Sequence, residues 1–103
     1  MRDILENIDA IKTFVGSMDL AAFAGDRKTV YAITRAHEII SEASRRLPDD
    51  LKNRHSDVDW IAVAAAGNVY RHEYDAVDEM QLWQTIQHEL SSLHQAVLSE
   101  LEL

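Results

Sequence analysis

Apolar residues in this chain recur only at helical spacing. Ile4, Ile8, Ile11, Val15 and Met18 follow one another at steps of 4, 3, 4 and 3, a stripe along one helix face that Leu5 and Phe14 widen. Gly16 frays the end of that helix. Ala24-Gly25-Asp26 reads as a connection, with Asp26 placed to cap the next helix. A second stripe, Val30, Ile33, Ala36, Ile40, Ala43 and Leu47, steps by 3, 3, 4, 3 and 4. Pro48 stops it, because proline lacks an N–H and disfavours helical geometry in the residue before it. Residues 48–59 are polar, a connection with room for one helical turn. Asp57 or Asp59 caps a third helix, from Trp60 to about His72, whose Ala62, Ala64, Ala65 and Ala66 let a neighbouring helix come close. After a break near Tyr74-Asp75, a last helix carries Val77, Met80, Trp83, Ile86, Leu90, Leu93, Val97 and Leu101. Leu82 and Leu98 fall outside that stripe.

Helices with short connections predict an all-α fold, an up-down bundle of four to five helices. A chain of 103 residues makes one domain, spanning 1–103. At this size roughly 60–70% of the unfolded surface is buried, so the core is modest. Leucines outside the stripes give the last helix a second surface to cover. That excess favours burial against a second copy, a homodimer.

Charge and composition narrow the function. The net charge of −8 argues against broad, salt-driven binding to nucleic acid, which needs a basic surface. Ten Lys and Arg remain to be focused in a small local site, and a basic protein partner is compatible with the charge. The chain has no cysteine, hence neither disulfides nor a thiolate site. No apolar run approaches the roughly 18 residues that span a bilayer. The amphipathic start Met1-Arg2-Asp3-Ile4-Leu5-Glu6 is unlike a secretion signal, so a cytoplasmic protein is expected.

The chemistry is concentrated in Gly67-Asn68-Val69-Tyr70-Arg71-His72-Glu73-Tyr74. Asn68 lies four residues before His72, on the same face of the expected helix. Metal-independent RNA cleavage needs a base for the ribose 2′-hydroxyl, a cation for the pentacoordinate phosphate and an acid for the leaving 5′-oxygen. Histidine suits the proton transfers, with an ordinary pKa of about 6.5. The arginine fork matches phosphate oxygens two at a time. His72 is the only histidine set among such groups, and Asn68 is placed to orient its ring or to bind a phosphate oxygen.

This stretch resembles the signature Arg-Asn-x-x-x-His-x-Tyr of the HepT-like ribonuclease toxins of the HEPN superfamily. The resemblance extends along the chain through Arg2-Asp3-Ile4-Leu5, Arg27-Lys28-Thr29, Glu38-Ile39-Ile40-Ser41-Glu42-Ala43, Leu47-Pro48 and Trp60. It implies a helical homodimer that cuts RNA near its dimer cleft, without a metal or other cofactor. It also implies a partner, a minimal nucleotidyltransferase (MntA-like) antitoxin that can transfer AMP to the motif tyrosine. Residue by residue, His72 matches the catalytic histidine, Asn68 the polar residue beside the arginine, and Tyr74 the AMP acceptor. Gly67 stands where the arginine belongs and cannot do its work. Arg71, four residues on, shares a helical face with Gly67, and helical side chains lean toward the N-terminus. Its guanidinium is thereby expected to cover part of the loss.

Structural readings stand beside these. His72 would also suit a helix C-terminus as a capping cation, and Tyr70 and Tyr74 would suit packing positions with their hydroxyls in water. His37 is expected to be a partly buried structural residue and His55 to be solvated. His88 and His94, six apart, do not share a face as metal ligands would. Glu38 and Glu42 repel across one turn, with Arg35, Arg45 and Arg46 near enough to compensate. The pair Arg45-Arg46 reads as a solvated face. Trp60 and Trp83 read as core or interface anchors. Three functions follow: a toxin acting as an endoribonuclease through His72, an impaired HEPN dimer that survives as the binding partner or modification target of a nucleotidyltransferase, or a plain helical dimer with no ligand.

Overall fold

The computed structural model describes residues 1–65 and 79–102. Among them every regular element is helical. The elements are α1 (Arg2–Val15), α2 (Leu20–Gly25), α3 (Arg27–Arg45), α4 (Asp49–Arg54), α5 (residues 60–65), α6 (Glu79–His88) and α7 (Leu90–Glu100). The all-α bundle expected from the periodicity is the fold observed.

The first two stripes are the core. Ile4, Ile8, Ile11 and Val15 of α1 pack on Val30, Ile33, Ala36, Ile40 and Ala43 of α3, all of them buried. Gly16 ends α1 at φ +52°, a left-handed backbone that glycine adopts without a Cβ penalty, and its N–H returns 3.0 Å to the Lys12 carbonyl. Asp26 caps α3 as expected: its Oδ1 accepts the Thr29 N–H at 3.2 Å, and that bond holds its carboxyl below the usual range. The helix ends at Arg45, three residues before Pro48.

Three features depart from the periodicity. Phe14 stays 44% exposed instead of widening the α1 stripe. Residues 20–25 form α2, which the stripes do not reveal. Asp19 starts it by accepting the Ala22 N–H at 2.9 Å, and it carries the fully buried Phe23. The last helix is interrupted at Glu89, between α6 and α7. Its buried line runs through Leu82, Leu90, Leu93 and Val97, whereas Met80 is 48% exposed. The reason is α2. It packs against α6, and Phe23 meets Trp83 with ring centroids 5.2 Å apart. With apolar residues at 80, 82, 83 and 86, more than one side of α6 could turn inward, and the neighbour selects the side of Leu82 and Trp83. The expected end of the third helix near His72, the break near Tyr74-Asp75 and Val77 lie outside the described residues.

Leu82→Ala is expected to lower unfolding free energy by about 2–5 kcal/mol, and Met80→Ala by no more than about 0.5 kcal/mol, measured by urea denaturation. The opposite ranking would mean that α6 presents its other face.

Candidate functional site

Three sets of contacts fix the chain that leads into the motif. Asp59, of the two acids considered, caps α5: its Oδ1 accepts the Ala62 N–H at 3.0 Å. The Trp60 indole N–H reaches back to the carbonyls of Lys52 and His55, at 3.1 Å each, and so closes the last turn of α4 onto the start of α5. Val63 is buried in the core. On the next residue, the Ala64 carbonyl accepts from Ser41 Oγ at 2.6 Å and from an Arg45 guanidinium nitrogen at 2.7 Å. That same nitrogen is 3.1 Å from Ser41 Oγ.

Arg45 is thus not simply part of a solvated face. Ser41 and Arg45 are four residues apart, one turn of α3, and together they clamp the backbone three residues before Gly67. That spacing was the available signal. Arg46 does stay at the surface, 3.6 Å from Asp3 and 3.4 Å from Glu42. Arg35 faces Glu38 at 3.2 Å, so the acids of the repelling pair each meet an arginine.

Gly67, Asn68, Tyr70, Arg71, His72 and Tyr74 lie outside the described residues. His37, His55 and His94 are each engaged within the fold. His37 is only 3% exposed, and burial pulls its imidazole down from 6.5 to about 4, so it is neutral at ordinary pH. It is more deeply buried than its edge position suggested. His55 is not solvated as expected. Its Nε2 lies 2.6 Å from Glu100, which Arg54 also holds at 2.8 Å. Arg54 first and then His55 hold the Glu100 carboxyl down at about 2. His94 sits between Lys12, 2.6 Å from its Nδ1, and Asp9, 3.6 Å from its Nε2. Among the described residues no group of three His, Cys, Asp or Glu could hold a metal ion. Nor is any described helix long and apolar enough to cross a membrane.

Two spaces open near α5. A groove of about 760 Å³ runs between α4 and α5, with Asp49, Asp57 and Asp59 against the single cation Lys52. That excess of negative charge repels a phosphate chain. A cavity of about 10 Å³, the size of one water, lies inside among His37, Val63, Thr85 and Glu89. Burial first and the nearby Asp59 second push the Glu89 carboxyl up. Neither of these two spaces, among the described residues, is built to hold RNA.

A family model described as Ribonuclease HepT-like matches residues 4–99. The chain belongs to the HepT-like ribonuclease family. It is 37% identical over 93 residues to a protein of Thermococcus cleftensis named Probable ribonuclease HepT, covering 90% of this chain and 84% of that one. It is 30% identical over 95 residues to a Methanocaldococcus jannaschii protein named as an RNase by inference, covering 92% and 87%. A similarly named protein of Caldanaerobacter subterraneus subsp. tengcongensis is 30% identical over 97 residues, covering 94% and 87%. No solved structure matches the chain. The HepT-like match and the helical bundle agree with the HEPN resemblance read from the motif.

The unfolded chain protonates His37 near 6.5 and the folded chain only near 4, so across that window the unfolded state binds more protons and stability falls as pH falls. In His37→Gln the loss of urea-unfolding stability between pH 6.5 and 4 is expected to be smaller than in the parent. Equal losses would remove His37 as the cause.

Proposed function

We propose that this chain is an RNA-cleaving toxin of the HepT-like family, with His72 as its proton-transfer residue and Asn68 beside it. The observation that carries the reading is the family match over residues 4–99, which brings with it relatives named as ribonucleases and spans the Asn68, His72 and Tyr74 set. His72 exchanges the proton of the 2′-hydroxyl or of the leaving 5′-oxygen, and Asn68 orients the ring or holds a phosphate oxygen. Arg71 partly restores the cation that Gly67 lacks. The net charge of −8 means that RNA is gripped locally at this site and not across a basic face.

In this reading the unit is a cytoplasmic single-domain homodimer. Phe14, Ile61 and Met80, respectively 44%, 84% and 48% exposed, are apolar surface available to a second copy. The partner is an MntA-like nucleotidyltransferase antitoxin, and Tyr74 is the hydroxyl that accepts AMP. The catalytic chemistry uses no metal or cofactor.

Gly67 favours a second reading, a HEPN dimer with impaired catalysis that serves as the nucleotidyltransferase's binding partner or modification target. Loss of one electrostatic contact to a transition state costs a factor of roughly 100–1,000, about 3–4 kcal/mol. Activity on RNA by the purified protein separates the two. The parent is expected to cut weakly, His72→Ala to lose cutting altogether, and Gly67→Arg to cut faster. Cutting that survives in His72→Ala would defeat the enzyme reading. Cutting by Gly67→Arg alone would select the second reading.

A further inference from the structure

The outer side of α3 begins with two cations and an aromatic ring, about 27 Å along the helix from Arg45 at its end. We propose that Arg27, Lys28 and Tyr31 form a docking site for single-stranded RNA, with a base stacked on the Tyr31 ring and a phosphate held by Arg27 and Lys28. The choice of RNA as the ligand rests on the ribonuclease reading given above. All three residues lie among those the structure describes, and all three are exposed.

Charge is the first observation. Residues 1–46 hold seven basic and seven acidic side chains, whereas residues 47–103 hold three and eleven. The net charge of −8 thus belongs entirely to the second part of the chain. Residues 27–37 contain Arg27, Lys28 and Arg35 and neither Asp nor Glu. A polyanion is repelled least by such a stretch. Arg35 meets Glu38 at 3.2 Å and adds little. The Asp26 carboxylate bonds to Thr29 and also feels the Lys28 charge. Arg27, by contrast, meets no carboxylate among the described residues, so its charge is the one most available to a phosphate.

Geometry is the second observation. Arg27 lies four residues and Lys28 three residues before Tyr31, so the three share one side of α3. Val30 and Ile33 turn the other side into the core. Arg27 Nε and Nη2 both donate to Tyr31 Oη, at 2.9 and 2.7 Å. The guanidinium carbon is 5.2 Å from the ring centroid. With two such short bonds to the oxygen, the guanidinium lies at the hydroxyl end of the ring and covers neither face. Tyr31 is 54% exposed, and no other described aromatic ring stacks on it. The pair therefore restrains both side chains while leaving a ring face for a base and further guanidinium N–H groups for phosphate oxygens. An aromatic platform beside a fixed cation is the arrangement that sequence-tolerant binding of single strands uses. It adds a second local grip on RNA to the one proposed at His72, without a broad basic face.

Two probes test the site on the purified chain. One is a short 2′-O-methyl oligouridylate, which cannot be cut because its 2′-oxygen is blocked. The other is an abasic strand of the same length, which keeps the phosphates and lacks the bases. Binding is followed by fluorescence anisotropy over a range of salt. Arg27→Gln is expected to lower the slope of log affinity against log salt by about 0.7, the share of one phosphate contact on a single strand. Tyr31→Leu is expected to weaken binding of the oligouridylate roughly 5- to 150-fold, to leave its salt slope unchanged, and to leave the abasic strand at the parent affinity. Tyr31→Trp keeps a stacking surface and is expected to recover most of that loss. In RNA cleavage, Tyr31→Leu is expected to raise KM with kcat unchanged, because docking holds the ground state and the transition state alike.

If the probes follow this pattern but RNA is never cut, the ribonuclease reading fails and the docking site stands. The proposal is overturned, whether or not RNA is cut, if Arg27→Gln leaves the salt slope at the parent value or Tyr31→Leu leaves the affinity there. Equal losses on the abasic strand would show that the ring holds no base, and would overturn it too. So would a parent that binds polyglutamate of the same charge as tightly as the oligouridylate, or one that binds neither.

Discussion

A helix of 19 residues cannot hide an apolar face by itself, and α3 is such a helix. Burying Val30, Ile33, Ala36, Ile40 and Ala43 requires a second helix laid along it, and α1 supplies the matching line of isoleucines. This contact sets the position of everything else. α2 turns back from the end of α1 and packs on α3, α6 closes over α2, and α7 returns to α1. Fully buried aliphatic side chains stabilise by roughly 1.5–3 kcal/mol each, so the α1–α3 seam outweighs any surface ion pair in the molecule.

The same helix solves a second problem, the placement of polar groups. Thr34, His37, Ser41 and Ser44 all sit on its buried side. Thr34 and Ser44 return their hydroxyl protons to carbonyls of the preceding turn, at 2.8 and 2.7 Å, and so remain satisfied without water. Ser41 does something different. Its hydroxyl leaves the helix and bonds to Ala64, so that one buried polar group joins the core helix to the chain that enters the motif. A buried hydrogen bond of this kind costs more to break than it contributes when made, because both partners are left unsatisfied. That asymmetry makes it a register mark for α5.

The start of α5 is held by a series of such ties. α4 and α7 are joined by Glu100, held between Arg54 and His55, and Trp60 ties the end of α4 to α5. α5 in turn is tied to α3. The described chain is thereby fixed up to Ala64, three residues before Gly67. A net charge of −8 leaves the chain without a general basic surface.

Several parts of this were legible in the residue order alone. The α1 and α3 stripes, the Asp26 cap and the stop before Pro48 are local matters, governed by periodicity of 3.6 and by backbone chemistry within a few residues. The family could likewise be read from Asn68, His72 and Tyr74 at their spacing. Tertiary structure decided the rest. α2 is too short to leave a periodic trace, yet Phe23 fixes which face of α6 turns inward, and so Leu82 displaces Met80 from the core. His55 and Arg45 look like solvated cations in sequence because their partners, Glu100 and Ala64, lie 45 and 19 residues away. Local patterns record what a residue prefers, whereas a contact across such distances exists only once the helices have packed.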